Sequence, residues 1–518
     1  MNKALDTASR ARRILFVTSE VFPLAKTGGL ADVSSALPAA MSSLGADVRV
    51  MLPAYPQALD LARDLRVVPG GDVPEGRLLV GRTPDTQIPI ILFDAPALFT
   101  RKGGIYQDES RENWPDNDRR FASFSRAAAL VGLGRTSLAW CPEIVHANDW
   151  HTGMVSAFLH FSGERRAKSV FTIHNLAFQG NFPLASFSTL GLPTEALSPE
   201  GLEFYNQGSF IKAAIRYSDR LSTVSPTYAR EILTPEHGCG LDGLLRSRAC
   251  DLVGILNGVD YGVWDPSNDI ELPRKYSPDD LSGKDDCKSQ LRDEIGLPQE
   301  SQSPIIAYVN RLTDQKMADV VLDALPQLVA TGAQIVIHGT GDRRFEEHFA
   351  HAAQAYPNNV AVRLGYTEAL AHRIVAGCDL SLTPARFEPC GLTTMYGMRY
   401  GALPITRAVG GIADIVDDAG VMNADNVVGT GFLFDKAAAD DMVDSMLRAA
   451  SWYRDSAAWK RLQRRAMTRN FAWGQSAQQY LALYDSALGV TTPDECRPIR
   501  IDPPIAPSIQ RNLFQLEA

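Results

Sequence analysis

Ile14-Leu15-Phe16-Val17, then Ser19-Glu20-Val21-Phe22-Pro23, then Lys26-Thr27-Gly28-Gly29-Leu30-Ala31-Asp32 form the first recognisable unit of the chain. Four β-favouring apolar residues run into a polar loop with paired glycines, and a helical pattern follows through Leu44. A strand, a glycine-rich loop and a helix in that order open a parallel sheet whose two faces are covered by helices. The same order recurs at Val48 to Leu52, Ile88 to Phe93, Ile144 to Ala147, Ser169 to Ile173 and Arg220 to Val224. The first half therefore reads as a doubly wound α/β domain.

Outward from there, the polar stretch Asp265 to Gln302, rich in Pro, Asp, Ser and Lys, interrupts the alternation with the composition of a linker or boundary. Strand candidates then resume at Ile305 to Val309, Gln334 to His338, Val360 to Leu364, Leu380 to Thr383, Leu403 to Thr406 and Gly431 to Phe434, with helices such as Ala318 to Ala330 between them. The expected organisation is a first doubly wound domain over residues 1–265, a second over 266–490 and a Pro-rich tail over 491–518. The helical stretch Ser476 to Leu488 is a candidate to pack back on the first domain. Two such sheets facing each other make one deep cleft, with the chemistry on loops that follow strands.

Size agrees, because 518 residues exceed what one hydrophobic core organises. With 45% hydrophobic and 21% charged residues and no apolar run long enough for a bilayer, no membrane partner is expected. Met1 to Arg13 leads directly into an apolar run too short for a signal-peptide core, so the expected location is the cytoplasm. Seven cysteines, an odd number without a C-x-x-C pair, argue against a disulfide framework and a zinc site; neither a metal nor another cofactor is expected. A net charge of −9 disfavours a nucleic-acid partner and makes any phosphate site local.

Several loops carry chemistry. Around Lys26 to Leu30, paired glycines let backbone amides approach an anion, and the following helix adds its positive end; a tight turn with Lys26 in solvent is the competing reading. The stretch has neither G-x-G-x-x-G nor Walker spacing. Asn148-Asp149-Trp150-His151-Thr152-Gly153 sets an aromatic face beside a carboxylate, which suits a sugar unless Trp150 is core and Asp149 a helix cap. His174, in Thr172-Ile173-His174-Asn175, either donates to a sugar hydroxyl or is structural, and Asn257, in Ile255 to Asp260, reads by itself as a turn. Arg311 and Lys316, in Asn310-Arg311-Leu312-Thr313-Asp314-Gln315-Lys316, can converge on a diphosphate or form a solvated basic loop. In Arg386-Phe387-Glu388-Pro389-Cys390-Gly391-Leu392-Thr393-Thr394, the residues from Gly391 open a helix whose free amides suit phosphate.

Taken together, K-T-G-G-L at Lys26, R-L-T-x-Q-K at Arg311 and F-E-P-C-G-L-T at Phe387 resemble the bacterial glycogen synthases and plant starch synthases, from Ile14 to about Leu488. Those are retaining glucosyltransferases of the GT-B fold, two Rossmann-like domains facing across a cleft. The resemblance implies an ADP-glucose donor, a glycogen or malto-oligosaccharide acceptor, and transfer to its non-reducing 4-hydroxyl with release of ADP. It implies Glu388, His174 and Asp149 as catalytic residues. On the first wall it implies substrate binding by Lys26, Gly28, Gly29, Asp32, Tyr106, Asn175 and Asn257. Across the cleft it implies Arg311, Lys316, Cys390, Gly391, Leu392 and Thr393. Val409-Gly410-Gly411-Ile412-Ala413-Asp414 matches a further glycine segment of the family.

Three positions bear on how closely the pattern is followed. Ile105 stands where the family often has proline, and Met317 follows Lys316 where it usually has glycine. Tyr396 stands eight residues beyond Glu388, where many related retaining transferases carry a second glutamate but these synthases do not. A glucan phosphorylase would need a pyridoxal-binding lysine motif, which is not found, and a dehydrogenase would need the missing dinucleotide fingerprint. A catalytically silent glucan-binding protein would not need every charged candidate to be kept.

Overall fold

The computed structural model describes residues 11–163, 166–299 and 302–490; the tail 491–518 lies outside the described residues. Two large sheets organise it. In spatial order the first runs Leu252–Gly254, Arg220–Thr223, Lys168–Ile173, Ile144–Asn148, Arg13–Val17, Asp47–Pro53, Pro89–Asp94, Gly76–Arg82 and Arg63–Val73. The second runs Val360–Leu364, Gln334–Gly339, Ile305–Val309, Leu380–Leu382, Leu403–Arg407 and Phe432–Phe434, parallel throughout. Central strands are buried on both faces, as continuous apolar runs in parallel sheets are.

The fold is the expected pair of doubly wound α/β units, with two corrections. The first sheet is not purely parallel. Its far edge is an antiparallel hairpin, Arg63–Val73 with Gly76–Arg82, that pairs antiparallel with Pro89–Asp94. The strand at the very edge is largely exposed and contains Pro69-Gly70-Gly71, so neither alternation nor an apolar run betrays it. Nor is Asp265 to Gln302 only a linker. It holds the helix Ser282–Ile295, which buries Cys287, Leu291 and Ile295 and packs on the helix Glu368–Gly377. Three apolar residues at four-residue spacing in a charged run left little signal.

Two main hydrophobic cores lie under the sheets. One gathers residues from Ile14 to Ile255 and the last helix, the other residues from Val224 to Phe471, with Val259 and Trp264 among them. The chain crosses between the sheets twice, side by side: Val259 N–H donates to the Phe471 carbonyl at 2.7 Å, and a side chain at Gly258 would run into Trp473. Beyond that crossing, the helix Trp473–Leu488 lays Trp473, Ala477, Tyr480, Tyr484 and Ala487 on the first core, against the helix Gly29–Ser43.

A buried polar relay holds that helix down. Tyr484 Oη lies 2.8 Å from His146 Nδ1, His146 Nε2 lies 2.6 Å from Thr172 Oγ1, and Thr172 Oγ1 lies 2.6 Å from Ser222 Oγ. Burial pushes the His146 imidazole down to about 3, so it stays neutral. Tyr484→Phe leaves a buried ring nitrogen without its partner and is expected to cost about 1–2 kcal/mol, a melting temperature lower by about 2 °C or more. Thermal denaturation checks this; an unchanged midpoint would show that packing alone fixes the helix.

Candidate active site

The loops that carry Lys26, Asp149, His174, Asn257, Arg311 and Glu388 each follow a strand of one of the two large sheets, and Tyr106 follows the short helix Pro96–Phe99. On the first wall, the Lys26 loop is organised by Glu20, which is only 3% exposed. Its Oε2 accepts from Thr27 N–H at 2.6 Å and Gly28 N–H at 3.1 Å; its Oε1 accepts from Thr27 Oγ1 and the Tyr106 hydroxyl, both at 2.6 Å. Two loop amides expected to face an anion therefore face an internal carboxylate. Lys26 Nζ donates to Asp32 Oδ1 at 2.8 Å and, across the cleft, to Glu368 Oε2 at 2.9 Å. Burial works against the ammonium, but the two carboxylates outweigh it and hold Lys26 above its ordinary range; burial also pushes Asp32 up to about 6, against the pull of Lys26.

Deeper in the same wall, Asp149 has φ 59° and ψ 176°, a backbone region that costs a non-glycine residue about 1–3 kcal/mol. It stands at the N-cap position of the short helical turn Trp150–Thr152, but its side chain makes no cap bond, and its buried Oδ1 has no hydrogen-bond partner among the described residues. Burial pushes its carboxyl up to about 8, although the Trp150, Asn175 and His174 amides pull it back. His174 is held by Asn148 Oδ1 at 3.0 Å, and burial drives its imidazole down to about 3, so it is a neutral hydrogen-bonding group. Asn175 accepts the Ala177 amide at 3.1 Å. Trp150, half-buried, lies tilted with its ring 4.0 Å from that of His151, which stacks at 4.4 Å on Tyr106.

The opposite wall is built from two loops laced together. Arg386 N–H donates to the Gln315 carbonyl at 2.9 Å, and the Arg386 guanidinium pairs with Asp319. This brings Lys316 onto Glu388 in a nearly buried ion pair. Lys316, read from the sequence as facing a diphosphate, here faces a carboxylate. Arg311 is exposed and pairs with no carboxylate among the described residues, which leaves it the open cation of this wall. Met317 takes φ 55° and ψ 37°, the left-handed conformation that glycine favours, so the turn after Lys316 survives. Its fully buried side chain contributes about 1.5–3 kcal/mol, which offsets the backbone strain.

Gly391, at φ 101°, heads the helix Leu392–Arg399, where a side chain would strike Ile412; Leu392 and Thr393 follow as its first residues. Gly410 and Gly411 lie directly on the Glu388 to Cys390 backbone: added Cβ atoms would sit 2.0 Å from the Glu388 carbonyl and 2.1 Å from the Cys390 carbonyl. Cys390 faces Asn257, and burial pushes its thiol up to about 12, so it is no thiolate. Tyr396 stacks at 4.1 Å on Trp264, and burial first, then the nearby Asp32 and Glu368, holds its hydroxyl well above the ordinary range. Gly28 and Gly29 are exposed, and a Cβ on Gly29 would meet Leu392 of the opposite wall at 3.0 Å.

Further contacts join the walls. Thr227 donates through N–H and Oγ1 to Asp414, at 2.8 and 2.7 Å; Gly410 N–H donates to Glu231 at 2.8 Å; Ser225 Oγ donates to the Pro389 carbonyl at 2.7 Å. Glu20 and Glu368 escaped sequence reading because each is a single carboxylate in unremarkable surroundings. The signal that reveals them is spatial.

Two doubly wound domains, strand ends facing, with cations and carboxylates shared across the gap, define a glycosyltransferase of the GT-B type. The starch synthase catalytic domain family matches residues 13–247 and glycosyl transferases group 1 matches residues 291–466. A glycogen synthase of Burkholderia thailandensis is 49% identical, covering 91% of this chain and 90% of its own. One from Paramagnetospirillum magneticum is 46% identical over 92% and 98%. The catalytic domain of starch synthase IV from Arabidopsis thaliana, bound to ADP and acarbose, superimposes with a TM-score of 0.83 at 32% identity, covering 93% of this chain and all of that one. The chain belongs to the glycogen synthase family. No helix among the described residues is long and apolar enough to cross a membrane.

The raised Asp149 carboxyl has a consequence for stability. A carboxyl whose folded value is raised contributes fully below its unfolded value near 4, and that contribution is lost as pH climbs through about 8. Asp149→Asn, which cannot ionise, is therefore expected to melt higher than the wild type, with a gap that widens from about pH 5 to about pH 9. A gap that stays constant or narrows over that range would show that no buried charge forms there.

Proposed function

We propose that this protein transfers glucose from ADP-glucose to the non-reducing 4-hydroxyl of an α-1,4-glucan, glycogen or a malto-oligosaccharide, with retention and release of ADP, in the cytoplasm. The observation that carries the reading is the Lys316–Glu388 pair beside the amino end of the helix Leu392–Arg399, on the wall opposite Asp149 and His174. A leaving diphosphate needs positive charge placed before it departs. Arg311, Lys316 and the free amides at Leu392 and Thr393 supply it without a metal.

Sugar recognition falls to the first wall. An ammonium has three N–H donors, and Lys26 spends two on Asp32 and Glu368, which leaves one for the donor. Around it, carboxylates accept from hydroxyls. Asp149, His174, Asn175 and Asn257 would surround the glucose, and the unpartnered atoms Asp149 Oδ1 and Asn257 Oδ1 are the buried groups that a sugar hydroxyl would satisfy. Tyr106 would close the acceptor side. With leaving group and acceptor on the same face, Glu388 would stabilise the positive charge that develops on the ring, as Lys316 turns toward the phosphate.

Incubation with ADP-glucose and glycogen should release ADP and lengthen the glucan; no ADP release across a range of pH and acceptor lengths would overturn the reading. Glu388→Gln should lower kcat about 100-fold or more while ADP binding changes less than about threefold. Unaltered turnover would remove Glu388 from the reaction. Competition between ADP-glucose and UDP-glucose should favour the former, seen as the faster-released nucleotide.

A further inference from the structure

Glu20 takes no part in the reaction proposed above, yet it is among the best-satisfied carboxylates in the molecule. A carboxylate offers about four acceptor positions, and four donors reach this one: Thr27 N–H, Thr27 Oγ1, Gly28 N–H and the Tyr106 hydroxyl. No lysine or arginine pairs with it among the described residues, so these donors alone hold a buried anion in place. Tyr106 Oη also lies 2.8 Å from Ser19 Oγ. The Tyr106 ring stacks on His151, whose neighbour Trp150 follows Asp149 directly, and Asn117 Nδ2 donates to the Tyr106 carbonyl at 3.0 Å. Three loops that are far apart in sequence thus meet at one side chain.

We propose that Glu20 is a positioning residue that couples the Lys26 loop to Tyr106, setting the donor and acceptor sides of the first wall as one unit. The proposal rests on the reading of Lys26 as a donor-binding residue. Glu20 touches no substrate in it. Its oxygens fix the backbone at Thr27 and Gly28, and so the point from which Lys26 reaches into the cleft. Tyr106 occupies one of the four acceptor positions, so loss of its hydroxyl loosens the others.

The test is a double-mutant cycle read by calorimetric titration with ADP. Tyr106→Phe keeps the ring on His151 and removes only the hydroxyl; it should weaken ADP binding about fivefold, and Glu20→Gln about tenfold. The double variant should bind no more weakly than Glu20→Gln alone, because the hydroxyl acts through that carboxylate. Losses that multiply to about fiftyfold, or single variants that bind ADP like the wild type while melting lower, would overturn the proposal. If Glu20→Gln does not fold, Thr27→Val takes its place in the cycle with Tyr106→Phe, with the same non-additivity expected. Failure of the wild type to bind ADP would instead sink the donor reading. The coupling would still be read from melting temperatures of the same variants, where additive shifts would overturn it.

Discussion

Lys26 reaches across the cleft to Glu368 at 2.9 Å while Asp32 holds it from its own side at 2.8 Å, so one shared cation ties the two walls together. An ammonium leaving water needs counter-charge, and here half of it comes from a domain with a separate hydrophobic core. The approach is close at Gly29, where an added Cβ would lie 3.0 Å from Leu392 Cδ1. Leu392 is an apolar residue that packs against both main cores. Otherwise the walls meet through polar pairs: Thr227 with Asp414, Glu231 with Gly410, Ser225 with the Pro389 carbonyl. These pairs satisfy polar groups that the contact between the two walls takes out of water.

Unfavourable local energies gather on the same loops. Asp149 is strained and only partly hydrogen-bonded, Met317 sits in a glycine conformation, and Gly391 and Gly410 adopt conformations that side chains would not tolerate. Beneath them the sheets are conventionally packed, with core residues such as Ile14, Val170, Ile337 and Ile405 at or near zero exposure. Strain at strand ends, supported by a rigid scaffold, is a common signature of loops kept for chemistry. The raised carboxyl of Asp149 belongs to this pattern, because complete burial penalises a bare negative charge.

Much of this was legible in the chain itself. Continuous apolar runs disclose parallel strands because both faces of such a sheet are buried, and all twelve strand candidates lie within observed strands to within one residue. The exposed hairpin Arg63–Val73 and Gly76–Arg82 and the charged helix Ser282–Ile295 were not legible, since each buries too little apolar surface to impose a period. Met317 shows the reverse case. The sequence departs from the family's glycine, yet the backbone keeps glycine's conformation because the buried side chain offsets the strain.

The order of residues by itself determined the two doubly wound units, the loops at their strand ends and the chemical types on those loops, because periodicity and glycine placement are local properties of a chain. Which charges neutralise one another was decided only in three dimensions. Lys316 turns to Glu388 across 72 positions and Lys26 to Glu368 across 342, while the neutral Tyr106 hydroxyl donates to Glu20 across 86. Electrostatic pairing depends on distance in space and on loss of water, and neither is written in the spacing of residues along the chain.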